Sequence, residues 1–378
     1  MRKNHMKKLL AFSAVLIGFV GPVFAGQMTV GAQFQGWNSS FVQPYNGYEV
    51  WLPFSMNFRV DNKLGFYGQT EYGWGNYTEN SQTINLANFS DSLVGMDLRF
   101  TSFSLPSMLN IGLELPTGDT TWEYKQILAN VPTDFVDSRY RGRGFGLNAI
   151  YGLSFPAGEG EFGAALGYLY GGAWNLAGNQ ASSSYASSIQ SSDMRMGDSA
   201  FLALNHVQNY SNNQKDIIRI SAFQSLPSQL GGQNVFQLGT NFNASYAWQD
   251  PKGLSFEVGG QAWLAGLRPD GNGNLVAESH YSYGPRFYLV PSYSFGDLAI
   301  TGRAKYVLSN GYTAGDINYD GGGILLGIEP SYRMVLDSGS ALKIFGSYDF
   351  IDALKYGVGS LDATFNRWTF GSNFEVKL

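Results

Sequence analysis

The chain has 378 residues, 24 Lys+Arg, 29 Asp+Glu and a formal net charge of −5, an acidic balance that argues against nucleic acid as a partner. It contains no cysteine, which excludes a disulfide framework and any thiolate metal site. Charged residues are 14%, aromatics 15%, and glycines number 48; soluble domains carry about a quarter charged residues, so an ordinary soluble surface fits this composition poorly.

The chain opens with Arg2, Lys3, Lys7 and Lys8, an apolar run from Leu9 to Val20, and Val23-Phe24-Ala25. This three-part pattern predicts a signal peptide over 1–25, cut after Ala25, because about a dozen apolar residues is short for a membrane anchor. Without those four cations, 20 Lys+Arg face 29 Asp+Glu, so the mature chain from Gly26 carries −9. No later stretch is apolar over the ~20 residues that a membrane helix needs. A bilayer can then be crossed only by a closed barrel, which satisfies every backbone polar group.

Alternation with period two recurs along the chain. Val50, Leu52, Phe54, Met56 and Phe58 form the first clear apolar row, followed by Val94, Met96, Leu98 and Phe100. Leu109, Ile111, Leu113 and Leu115 come next, then Phe145, Leu147, Ala149, Tyr151, Leu153 and Phe155. Phe236, Leu238, Phe242, Tyr246 and Trp248 alternate with Gln237, Asn241, Asn243 and Ser245, and Leu254, Phe256 and Val258 with Ser255 and Glu257. Leu298, Ile300, Ala304 and Tyr306 oppose Thr301, Arg303 and Lys305, while Ile324, Leu326, Ile328, Tyr332 and Met334 interleave with Gly327, Glu329, Ser331 and Arg333. The last rows are Leu342, Ile344, Tyr348 and Phe350 against Lys343, Ser347 and Asp349, and Trp368, Phe370, Phe374, Val376 and Leu378 against Arg367, Thr369, Asn373, Glu375 and Lys377. One face reads lipid and the other water. A soluble β-sandwich also alternates, but segments of about 10 to 14 residues match a tilted membrane-crossing strand. Aromatics such as Tyr48, Trp51, Tyr168, Tyr170, Trp248 and Trp368 gather near strand ends, as an interfacial girdle would.

Turn chemistry marks short connections at 61–63, 105–107, 156–160, 211–214, 250–253, 296–297 and 337–339. Long connections fall near 38–46, 77–88, 116–142, 173–195, 225–233, 267–283, 309–320 and 352–363. This alternation predicts an all-β, transmembrane, antiparallel up-and-down β-barrel over 26–378, of about sixteen strands with fourteen as the alternative, both ends periplasmic.

The longest connection, Pro116 to Gly142, is apolar for an exposed loop, with Trp122, Tyr124, Ile127, Leu128, Val131, Phe135 and Val136. It reads either as packing over the rim or as a constriction folded into the lumen, the second being preferred. Leu176 to Ser192, rich in Ser, Gln and Ala, reads as a mobile external loop. On the water-facing side Arg286, Arg303, Lys305, Arg333, Lys343 and Arg367 come from the C-terminal strands, and Glu71, Asp97 and Glu114 from the N-terminal half. Such walls would set up a transverse field; the alternative is local cross-strand ion pairs through Glu329, Glu257 and Asp349.

Asp316, Asn318 and Asp320 before Gly321 fit the opening of a calcium loop, but the twelfth position is Gly327 instead of the closing glutamate. The mature chain has only His206 and His280 and no accompanying nucleophile motif, so neither an enzyme nor a cofactor is expected. His206, in phase with Leu202 and Leu204, reads as a wall residue.

Leu109-Asn-Ile-Gly-Leu-Glu-Leu-Pro-Thr-Gly-Asp119, with the Gly/Arg-rich stretch from Ser138 to Leu147, resembles the outer-membrane barrel family linked to the meta-pathway of phenol degradation. That resemblance implies transport of small, aromatic or hydrophobic compounds. Physically, Pro116 to Asp119 ends a strand and turns into the long loop, an architectural role.

The expectation is therefore an outer-membrane channel for passive diffusion, in contact with lipid and lipopolysaccharide, and open to homo-oligomer formation. The rival is a structural or interaction barrel: an adhesin, a receptor, or a sheath for a redox partner.

Overall fold

The computed structural model describes residues 25–39, 46–79, 82–118, 144–175, 193–195, 197–230, 232–270, 274–278, 285–308, 312–314, 317–319, 322–337, 339–353 and 363–377. The expected signal segment before Ala25 lies outside them. Seventeen strands share one antiparallel sheet. They are β1 (Ala25–Ser39), β2 (Asn46–Arg59), β3 (Leu64–Glu79), β4 (Gln82–Phe89), β5 (Ser92–Ser102), β6 (Leu105–Leu115), β7 (Gly146–Ala157) and β8 (Gly160–Gly171). Then follow β9 (Ser199–Asn209), β10 (Lys215–Ser225), β11 (Asn241–Gln249), β12 (Leu254–Trp263), β13 (Arg286–Phe295), β14 (Leu298–Val307), β15 (Gly323–Val335), β16 (Ser340–Ala353) and β17 (Ala363–Lys377).

Except for β4 and β5, neighbours in sequence pair with each other, and β1 pairs with both β2 and β17, Gln27 lying opposite Lys377. The sheet therefore closes on itself through the seam between β1 and β17. Both β4 and β5 lie along β3, one above the other, and count as a single stave, so the barrel has 16. Between Tyr72 opposite Phe89 and Gln69 opposite Leu93 the β4–β5 side holds one extra residue. That bulge, at Ser90-Asp91, reverses which parity faces outward.

The two faces differ in polarity. Leu326 is 49% exposed, Ile328 51% and Phe370 59%, all on the outer side, where Phe34, Leu166, Leu202, Ile220, Phe242 and Phe287 are exposed too. On the inner side Trp51, Ile351 and Asp349 are fully buried. Aromatic pairs such as Phe58–Phe66 (5.4 Å), Tyr72–Phe89 (5.0 Å) and Phe155–Phe162 (5.1 Å) join neighbouring staves, each contributing about 0.5–1 kcal/mol.

The short connections after β2, β5, β7, β9, β11, β13 and β15 lie on the rim that also carries Ala25 and Lys377. Asp61 Oδ1 accepts the amides of Lys63 and Leu64, both at 2.7 Å, an Asx turn. The turn expected at 105–107 sits instead at Phe103-Ser104, both with positive φ (51° and 62°), and Leu105 to Ser107 are already in β6. A two-residue hairpin with a type I′ turn demands that conformation at both central positions, normally supplied by Asn or Gly; here it carries a strain cost.

At the opposite rim, the loop expected near 77–88 is largely strand, because β3 and β4 extend their pairing to Glu79 opposite Gln82. Ala173–Asn175, Asp193–Arg195, Ser228–Leu230 and Gln233–Phe236 form a separate four-stranded sheet. Phe236, read from sequence as continuous with Phe242, belongs to this sheet and not to β11.

Candidate functional site

Pairing registers place all nine sequence-selected charges on the inner face. Arg286 lies opposite Gln261, Lys305 opposite Tyr288 and Leu325, Arg333 opposite Lys343, and Glu71 opposite Pro53. Asp97 stands between Gly65 and Asn110, and Glu114 between Leu93 and Gly146.

The C-terminal staves carry a lattice of ion pairs instead of bare cations. Arg367 donates from Nε and Nη2 to Asp349 Oδ2 at 2.9 and 2.7 Å. Arg303 Nη2 lies 3.0 Å from Asp349 Oδ1, and its Nη1 donates to Glu329 at 3.3 Å. Gly327 makes room for this: a Cβ there would overlap Asp349 Oδ1, and only hydrogen lets the carboxylate reach across β15. Because Asp349 is fully buried, removing one partner costs about 3–5 kcal/mol. Arg333–Glu375 (3.4 Å) and Arg219–Glu257 (3.5 Å) are half-exposed and contribute about 0–1 kcal/mol each. Lys343 sits 5.7 Å from the Phe345 ring, and Arg286 stacks on Trp263 at 4.8 Å. In the N-terminal half Arg59 pairs with Asp97 at 2.9 Å, close to the short-turn rim.

Three cavities lie along the inner wall. One of about 580 Å³ is bordered by Gln69, Glu71, Asp91, Glu114, Asn148 and Ser199. A second, about 600 Å³, spans the closure and touches Gln33, Glu71, Glu329, Lys343 and Asn373. Gln69 and Glu71 border both, so the two adjoin. The third, about 610 Å³, lies nearer the short-turn rim, lined by Arg99, Met108, Ala165, Ala203 and Arg219.

Sequence reasoning missed the anchor of the long connection. Asp91 Oδ1 accepts the Gly118 amide at 2.8 Å and its Oδ2 the Gly144 amide at 3.1 Å, so one carboxylate holds both ends of residues 119–143. Ser92 Oγ bonds Thr70 and Thr117, each at 2.8 Å, and Thr117 Oγ1 donates to the Ser90 carbonyl at 2.8 Å. Thr117 and Gly118 thus dock on the β4–β5 bulge, an architectural task. The parity break between Phe89 and Val94 is the one sequence signal for it.

A second cluster pins the other rim sheet. Asp198 accepts from Tyr168 Oη, from Gly171 N at 3.2 Å and from Arg195 Nη2 at 2.8 Å. Burial pushes its carboxyl up, but these hydrogen bonds outweigh burial and hold it below the usual carboxylate range.

His206 lies opposite Ile218 and Phe162 on the outer face, its ring 6.4 Å from that of Phe162. Trp122, Tyr124, Ile127, Leu128 and Phe135 lie outside the described residues, as do Asp316, Asp320 and His280. Asn318 is in a short ribbon, opposite Thr313. Among the described residues no cluster of His, Cys, Asp or Glu could hold a metal ion, and no helix is long and apolar enough to cross a membrane.

No family model matches the chain and no curated protein matches it in sequence, so the resemblance drawn at 109–119 is not extended to a family assignment. Among solved structures the chain is similar to Pseudomonas aeruginosa OccK7 (OpdD), with 13% identity and a TM-score of 0.46 over 94% of this chain and 99% of that one. It is also similar to OccK11 (OpdR) of the same organism, with 12% identity and a TM-score of 0.46 over 94% and 96%. A variant of Rh. blastica porin shares 10% identity, with a TM-score of 0.41 over 93% and 99%.

Proposed function

We propose that this barrel sits in an outer membrane, termini on the periplasmic side, and lets small solutes diffuse passively through its lumen. The observation that carries the reading is the inversion of polarity across a closed sheet: aliphatic and aromatic side chains exposed outside, ionic and amide side chains with adjoining cavities inside. A soluble barrel would invert this, and burying so many charges makes sense only against water. In this reading flux follows the solute gradient. The chamber in which Met108, Ala165 and Ala203 lie between Arg99 and Arg219 offers an apolar stretch of wall to aromatic or hydrophobic compounds. Deleting residues 122–136, which lie outside the described residues, tests the constriction expected from the sequence: the conductance should rise. The deciding experiment is single-channel recording in planar bilayers: discrete openings are expected, and a reconstituted, folded barrel that stays electrically silent favours a structural or sheathing role.

A further inference from the structure

On the inner face of β14–β17, Arg303, Glu329, Asp349 and Arg367 form a neutral set of two cations and two carboxylates. We infer that Asp349 is a resident carboxylate occupying an arginine pair that would otherwise hold anionic solutes, so that this wall passes carboxylates and phosphates without retaining them. The inference rests on the channel reading above.

Three observations carry it. First, the two Asp349 oxygens meet different guanidiniums, Oδ2 at 2.7 Å from Arg367 and Oδ1 at 3.0 Å from Arg303, the arrangement a bound carboxylate solute would adopt between two fork-shaped donors. Second, the Arg303 side is incompletely used. Its contact with Asp349 is close but not aligned as a hydrogen bond, so that Arg303 Nε and Nη2 and Asp349 Oδ1 are all buried without a hydrogen-bond partner among the described residues. Neutralising Asp349 would therefore leave guanidinium donors on both arginines for another oxyanion. Third, Asp349 is fully buried whereas Arg303 and Arg367 keep 30% and 15% of their side chains exposed, so the arginines, not the aspartate, border the lumen. The half-exposed pairs Arg333–Glu375 and Arg219–Glu257 are open to competition from solute ions; the Asp349 set is not.

The test is single-channel recording with citrate added to one side. Wild type should conduct without added interruptions, whereas Asp349→Asn should show citrate-dependent closures and a fall of about twofold or more in mean current, since a guanidinium near a pore ion changes its local concentration by that order. Adding Arg367→Gln to Asp349→Asn should abolish the block. A conducting wild type that citrate already blocks, or an Asp349→Asn channel indifferent to it, overturns the inference. A wild-type barrel that never opens removes the channel reading and the inference with it. Should Asp349→Asn fail to assemble, modification of the folded wild type by phenylglyoxal, mapped by mass spectrometry, decides: Arg367 and Arg303 should react far more slowly than Arg333. Equal rates would show the pair unoccupied.

Discussion

Replacing Gly327 with alanine puts a methyl group where the Asp349 carboxylate now passes. The new Cβ would overlap Asp349 Oδ1 and stand 3.2 Å from both Asp349 Cγ and Arg303 Nε. The aspartate must swing away, weakening its bonds to Arg367 at 2.7 and 2.9 Å and its 3.0 Å approach to Arg303. Breaking a buried pair costs about 3–5 kcal/mol, while alanine recovers about 0.5–1 kcal/mol of the entropy that glycine loses in a strand. A net loss of about 2–4 kcal/mol follows. Urea unfolding from lipid vesicles, followed by tryptophan fluorescence, measures it. Gly68→Ala is the control, because its Cβ would meet nothing closer than 3.8 Å, and it should be neutral or slightly stabilising. Equal unfolding free energies for the two variants would refute the reasoning.

Asp91→Ala should expose residues 119–143 to added protease several times faster and destabilise the barrel by about 2–4 kcal/mol, since two amides lose a charged acceptor; an unchanged cleavage rate means that the carboxylate does not hold the loop ends. Spin labels at Leu326 and Arg333 should report opposite surroundings, lipid-soluble oxygen relaxing the first and a water-soluble nickel chelate the second, and the reverse order would contradict the outer and inner assignment. Asp198 has a lowered carboxyl pKa in the folded state. Its contribution is therefore complete above the ordinary carboxylate range and disappears as pH falls through the folded value. A label at Gln229 should gain mobility over that acidic interval and stay unchanged on the alkaline side; no acid transition would count against the Asp198 clamp.

How much of this was legible beforehand follows from what is local. The alternation of Ile324, Leu326 and Ile328 with Gly327 and Glu329 is a property of a few consecutive residues, and in a strand successive side chains point to opposite faces, so strand identity and facing are written in the chain. The turn at Phe103-Ser104 was displaced by two residues because nothing in those side chains advertises positive φ. The β3–β4 extension read as a loop because polar Asn76 and Asn85 resemble loop residues until they face each other across a ladder.

The sequence alone determined the class of the fold, its closure requirement and the alternation that sets the selected charges apart from the apolar rows, since each depends only on period, composition and the need to satisfy backbone groups. Tertiary structure decided which of those charges are free to act. Asp349 and Arg303 are 46 positions apart in the chain and become partners only because β15 brings them to either side of Gly327. Coulomb attraction falls with distance in space, not along the chain, and that distance exists only once β14, β15 and β16 have paired.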